Sequence, residues 1–202
     1  MIEKVFALQE RLQDLGNPQV ELHLLRSCLG VCKVNYLLHT IPPATIMSQL
    51  QLFDRYLRDA LSRICNASIS AHAWCQATLP LSLGGLGLRE ASYVSPAAFL
   101  GCCLSSQHLC TQLLSSFHGT APSFLSIPGK ESATVYLSSS SGGALPDVDH
   151  PSKAQHIFQH SIDVHQYSAL LNSVTLRDQA RIRSISLHSC ASAWLRAIPS
   201  VF

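Results

Sequence analysis

Hydrophobic residues recur at three- and four-residue steps through most of this chain, which is the spacing of one face of an α-helix. Ile2, Val5, Phe6, Leu8, Leu12 and Leu15 predict a first amphipathic helix, with Gly16 and Pro18 as stop and restart. Leu22, Leu25, Leu29, Cys32, Tyr36 and Leu37 predict a second over 20–38, closed by Ile41-Pro42-Pro43; Arg26 and Lys33 lie seven apart on another face. A third is expected over 45–65, with Ile46, Leu50, Phe53, Leu57, Leu61 and Ile64 as its buried stripe. Asp54 and Arg58 are assigned to its outer face, as an i, i+4 ion pair worth about a few tenths of a kcal/mol.

The pattern then runs through Ala71–Gln76, Thr78 and Pro80 into a glycine-rich stretch, Gln76–Arg89. Gly84, Gly85 and Gly87 sit there in an apolar surround, which predicts a structural junction whose backbone adopts conformations a Cβ would forbid. Beyond it a helix over 90–104, with Pro96 as a break or fresh start, is followed by another over 107–117. Between Gly119 and Pro151 the pattern dissolves into Pro, Ser and Gly around Ser138-Ser139-Ser140-Ser141-Gly142-Gly143, the composition of a linker or mobile loop; 135–137 is too short to argue for a strand. Helical spacing resumes over 152–171, and a last helix opens at Thr175, with Asp178 at the capping-box position, and runs to Ala197. The expected architecture is all-α: a helical bundle over 1–118 with its junction at 76–89, a flexible Ser/Gly linker over 119–151, and a C-terminal helical pair over 152–202.

Composition changes this picture in one respect. Apolar residues make up 47% of the 202 residues and charged residues 13%, well under the usual quarter or so, so some apolar surface is expected to meet another domain or chain. The net charge of +2 creates no field that would pull the whole chain onto a polyanion, and any nucleic-acid contact must be local. Eight cysteines without a leader-like amino terminus read as reduced thiols of an intracellular protein, in cytoplasm or nucleus. No apolar run reaches the roughly 18 residues of a membrane span, so no membrane partner is expected.

The candidate chemistry is thin. Cys28 and Cys32 are one helical turn apart, and Cys102, Cys103, His108 and Cys110 cluster, but neither set has the hairpin spacing of a zinc site, and both read as buried core. His156 and His160 stand at i, i+4 with His165 nearby; the catalytic version of that pattern has Glu after the first histidine, where Ile157 stands here, so a solvated face is the reading. Asn66-Ala67-Ser68 matches a glycosylation sequon of low specificity. Gly84-Gly85-Leu86-Gly87 lacks the Gly-Lys-Ser/Thr ending of a phosphate loop and the spacing of a dinucleotide fingerprint. Arg177, Arg181 and Arg183 open the last helix as a solvated basic face. No nucleophile elbow occurs and the twelve acidic residues form no close set, so neither a catalytic residue, nor a metal, nor a cofactor is expected.

Gln76-Ala77, Leu79-Pro80, Gly84-Gly85-Leu86-Gly87-Leu88-Arg89 and, further on, Ala97-Ala98-Phe99-Leu100 resemble the region downstream of the polymerase palm in reverse transcriptases of non-LTR (LINE-type) retrotransposons. Leu24–Gly30, Lys33–Leu38 and Ile41-Pro42-Pro43 look like the helical thumb entry of the same enzymes, and Asp178–Arg181, Ala193–Leu195 and Pro199-Ser200 are similar to the segment that follows. The resemblance implies a thumb-like piece of an RNA-directed DNA polymerase. The family's Tyr/Phe-x-Asp-Asp turn has no counterpart here, and without those carboxylates two Mg²⁺ ions are not held, so a catalytically incomplete fragment or relic is expected. Thumb helices pack on the primer-template duplex, which makes Arg26, Lys33 and Arg89 candidate contacts to an RNA–DNA or RNA backbone, and a polymerase palm a candidate partner. Arg89 has an equal alternative, capping carbonyls at the glycine turn. The second reading of the chain is a free-standing helical protein-interaction module, with Pro80, Gly84, Gly85 and Gly87 purely structural.

Overall fold

The computed structural model describes residues 2–115, 127–140, 145–148, 150–187 and 193. All regular structure among them is helical, as the periodicity predicts: α1 (Ile2–Glu10), α2 (Pro18–Ser27), α3 (Asn35–Thr40), α4 (Pro43–Cys65), α5 (Ala71–Thr78), α6 (Ala91–Ser115), α7 (Ile127–Ser139), α8 (Ala154–Ser173) and α9 (Leu176–Leu187), with short 3₁₀ turns between. No helix among the described residues is long and apolar enough to cross a membrane.

Helix boundaries follow local chemistry. Gly16 takes a left-handed φ of 63° behind the 3₁₀ turn Arg11–Leu15. The Asn17 side chain then accepts from the N–H groups of Gln19 and Val20, with Pro18 opening α2. Asn66 ends α4 in the left-handed region that asparagine tolerates, at φ 47°, while the Ala67 N–H reaches back to the Ser62 carbonyl at 3.1 Å. Thr175 caps α9 as its sequence predicts, its Oγ1 accepting from the Asp178 N–H at 3.2 Å. Further along, residues 188–192 and 194–197 of the expected last helix lie outside the described residues.

The chain divides into two compact units, one drawn from residues 1–34, 51–91 and 166–202, the other from 35–50 and 92–165. In the first, Leu25, Leu57, Leu61, Trp74, Ala77 and Leu88 form one core and Leu79, Leu170, Leu171 and Ile182 another. Phe6 of α1 stacks on Tyr56 of α4, ring centroids 3.7 Å apart. In the second, Leu100, Tyr136, Ala154, Phe158 and Ile162 join α6, α7 and α8. Helix α6 approaches α8 so closely that a Cβ on Gly101 would lie 2.7 Å from the Cβ of Gln155.

Three expectations change. The second helix breaks after Ser27: a 3₁₀ turn, Val31–Lys33, separates α2 from α3. Gly30 allows the chain to pass its own helix end, where a Cβ would meet the Leu25 and Arg26 carbonyl oxygens at 3.1 and 3.2 Å. Within the expected linker, residues 127–139 are α7, with Tyr136 wholly buried. Its serines do not oppose the helix, because Ser138 and Ser139 turn their hydroxyls back onto the Val135 carbonyl. Burial of Ala133 and Tyr136 against α8 outweighs the poor propensity of the segment. Residues 119–126, 141–144 and 149 of the expected linker lie outside the described residues.

Pro96, finally, does not divide α6, which runs unbroken from Ala91 to Ser115. A proline at this position removes the N–H that would bond the Ser92 carbonyl. The buried hydroxyl of Ser95 donates to that same oxygen at 3.1 Å. Ser95→Ala is therefore expected to cost about 1–2 kcal/mol, and adding Pro96→Ala to restore the N–H should recover most of it. Urea unfolding of the two variants and the parent checks this; equal stability of all three would show that the hydroxyl does not replace the missing donor.

Candidate functional site

The glycine stretch is built as the C-terminal cap of α5. Ser70 opens that helix, its Oγ accepting from the Ala73 N–H at 3.2 Å, and the far end would leave carbonyls without partners. After the turn Leu81–Leu83 the chain reverses at Gly84, φ 79°. The N–H groups of Leu86 and Leu88 both donate to the Ala77 carbonyl, at 3.1 and 3.2 Å, that of Gly87 to Leu79 at 3.0 Å and that of Gly85 to Pro80 at 3.1 Å. The Gln76 side-chain amide adds a bond to the Gly84 carbonyl at 3.2 Å. A Cβ on Gly85 would stand 2.0 Å from the Leu79 oxygen and 2.7 Å from that of Gln76, so no side chain fits there without moving backbone. Because the N–H groups of residues 84–88 already serve carbonyls of this segment, none is left to cradle a phosphate.

The three basic candidates all lie in the first unit. Arg26, half-buried at the end of α2, lays its stem against Gly87: a Cβ there, where φ is 75°, would meet the Arg26 Cδ at 3.2 Å. Its Nη2 stands 3.5 Å from His23 Nδ1. Lys33 is exposed on the 3₁₀ turn beyond Gly30, and Arg89 is half-buried on the segment leading into α6.

A buried polar cluster beside the junction escaped the sequence reading. Asp54 is not on an outer face: it is 6% exposed, and its Oδ1 accepts from the Ala91 N–H at 2.6 Å, capping α6 from α4. Arg58 donates to the Ile69 carbonyl, and Trp74 Nε1 donates to Glu90 at 2.5 Å. The spacing Leu50, Asp54, Leu57, Leu61 was the available signal, since it places the carboxylate beside the buried stripe. Burial pushes the Glu90 carboxyl above its ordinary range; the Trp74 hydrogen bond pulls it back, the Asp54 charge raises it and Arg58 lowers it. Burial, and then the Glu90 charge, likewise raise the Cys75 thiol.

The cysteine readings also change. Cys28 and Cys32 are exposed rather than core, because α2 ends at Ser27, before both of them. Cys102 and Cys103 are half-buried and Cys110 is exposed, with burial raising the Cys103 thiol. Arg181 pairs with Asp178 at 3.3 Å on α9. Among the described residues no three His, Cys, Asp or Glu side chains converge as a metal cage would need. Comparison with family models, with curated proteins and with solved structures returns no match.

The Glu90 carboxyl ionises near 4.5 when unconstrained and at higher pH in the folded chain, so its ionisation weakens the fold. That penalty is absent below the unfolded value, grows as pH rises through the folded one, and is complete above it. Glu90→Gln keeps an oxygen for the Trp74 N–H and removes the charge. It is expected to stabilise the protein near neutral pH, with the gain vanishing around pH 4, as denaturant midpoints across that range would record. A variant weaker than the parent at neutral pH would mean that the Trp74 bond needs the carboxylate.

Proposed function

We propose that the chain is a thumb-like, catalytically incomplete segment of a non-LTR retrotransposon reverse transcriptase, contacting a nucleic-acid backbone through Arg26, Lys33 and Arg89. The observation that supports it is the packing of the Arg26 stem on Gly87. It brings one basic candidate onto the glycine run that carries the family resemblance. Contacts to phosphate alone would give affinity without sequence preference.

Lys33→Glu, at an exposed position outside the helices, should weaken binding to an RNA–DNA duplex roughly tenfold and reduce the dependence of log K on log salt by about one. Fluorescence anisotropy at several salt concentrations measures both. A parent that binds no duplex at low salt would sink this reading.

A second reading, a protein-interaction module, is favoured by an apolar hollow of about 350 Å³ between α1 and α2, lined by Leu8, Leu12, Leu15, Leu24 and Leu29. Leu8 and Leu15 are about half exposed there, at 48% and 51%. A second copy is the occupant that fits, because Arg11 and Asp14 pair on its rim, and a two-fold arrangement would set each opposite its counter-charge. Sedimentation should then show a dimer that the leucines hold at high salt, the exposed charges only orienting it, and that Leu8→Glu dissolves; a monomer at all concentrations would eliminate it.

A further inference from the structure

We propose that His156 and His160 on α8 form a two-histidine binding site for a divalent transition-metal ion, Zn²⁺ in the first place, with water in the remaining positions. The residues stand one helical turn apart on a helix of 20 residues. Their rings are nearly parallel, 6° between planes, with centroids 6.4 Å apart. Zinc–nitrogen bonds of about 2.1 Å bring the centroids of two rings on one tetrahedral ion to roughly 5 Å. The remaining closure of about 1 Å is within the reach of side-chain rotation.

The helix is held in register for this. Ala154, Phe158 and Ile162 bury its opposite side against α6 and α7, while both histidines are exposed, so an ion reaches them without disturbing the core. Their neighbours fix what the site does. Ile157 occupies the place of the glutamate that makes such a pair hydrolytic, so the site binds without activating water for attack. Asp163, one turn beyond His160, is buried and accepts from the Gln159 amide at 2.9 Å, which keeps it from the ion. Lys153, one turn before His156, sets a like charge near the ion and moderates affinity. With two protein ligands in place of four, the dissociation constant falls on the order of 1–100 µM, half the free energy of a structural zinc site.

Isothermal titration of the whole chain with Zn²⁺ alone should show one equivalent in that range, weakened at least tenfold by His156→Ala. A second variant separates the chelate from adventitious binding to surface histidines. Combining His156→Ala with Asn172→His, an exposed position of the same helix, keeps the number of histidines on α8 but leaves no two of them three or four positions apart, so one ion cannot be chelated. Loss of the equivalent in this variant, with unchanged helical circular dichroism, supports the site. Undiminished binding there, or no binding by the parent at millimolar Zn²⁺, overturns it.

Discussion

The first unit depends on how the end of α5 is closed. A helix terminus turned inward must find donors for its last carbonyls or lose more than a typical hydrogen bond is worth for each one left bare. Here the donors come from the chain itself, doubling back through Gly84, Gly85 and Gly87 so that Leu86 and Leu88 share the Ala77 oxygen. The route is so close that Gly85 has no room for a methyl group beside Leu79. Backbone polarity thus dictates the glycines, and the glycines dictate the path. The path then brings Leu88 into the core with Leu25, Leu57 and Trp74, which ties the junction to α2, α4 and α5.

The exit of the same path explains the buried charges. Glu90 and Ala91 emerge at the start of α6, where the first N–H groups need an acceptor, and Asp54 supplies one from α4. Two carboxyl groups are consequently drawn together in a region of low polarity. Trp74 offsets part of that cost through its N–H and Arg58 through its charge. The upward displacement of the Glu90 carboxyl records what remains. It is explained by architecture, and a role in reaction chemistry is not needed to account for it.

How much of this was legible beforehand follows from the range of the interactions. The first and third predicted helices, the stop at Gly16 and the cap at Thr175 rest on neighbours within four positions, so the sequence displays them, whereas the periodicity over 20–38 hides the break after Ser27. The glycines at 84 and 87 were equally plain, because the left-handed backbone of such a turn favours glycine; Gly85 is required by its closeness to the Leu79 oxygen. What was missed depends on partners far along the chain. Asp54 looked solvent-facing because its acceptor role lies 37 residues away. Tyr136 sits in a serine-rich run whose helicity comes from Phe158, 5.2 Å away between ring centroids. Pro96 looked like a break because the compensating bond comes from a hydroxyl and not from a pattern.

The functional reading meets the fold at Gly87. Its positive φ satisfies the turn, and its missing side chain leaves space that the Arg26 stem fills. One glycine therefore serves two demands, and a change there would disturb both the cap of α5 and the seat of the guanidinium. This arrangement matters for a protein of net charge +2, in which no broad field draws in a phosphate backbone. A weakly charged surface gains from holding its few cations in place, because a guanidinium whose stem is already packed gives up less rotamer freedom on meeting a phosphate than a freely moving one. The same reasoning ranks the proposed contacts. Arg26 would contribute through a fixed position, whereas Lys33, exposed beyond Gly30, would contribute through charge alone.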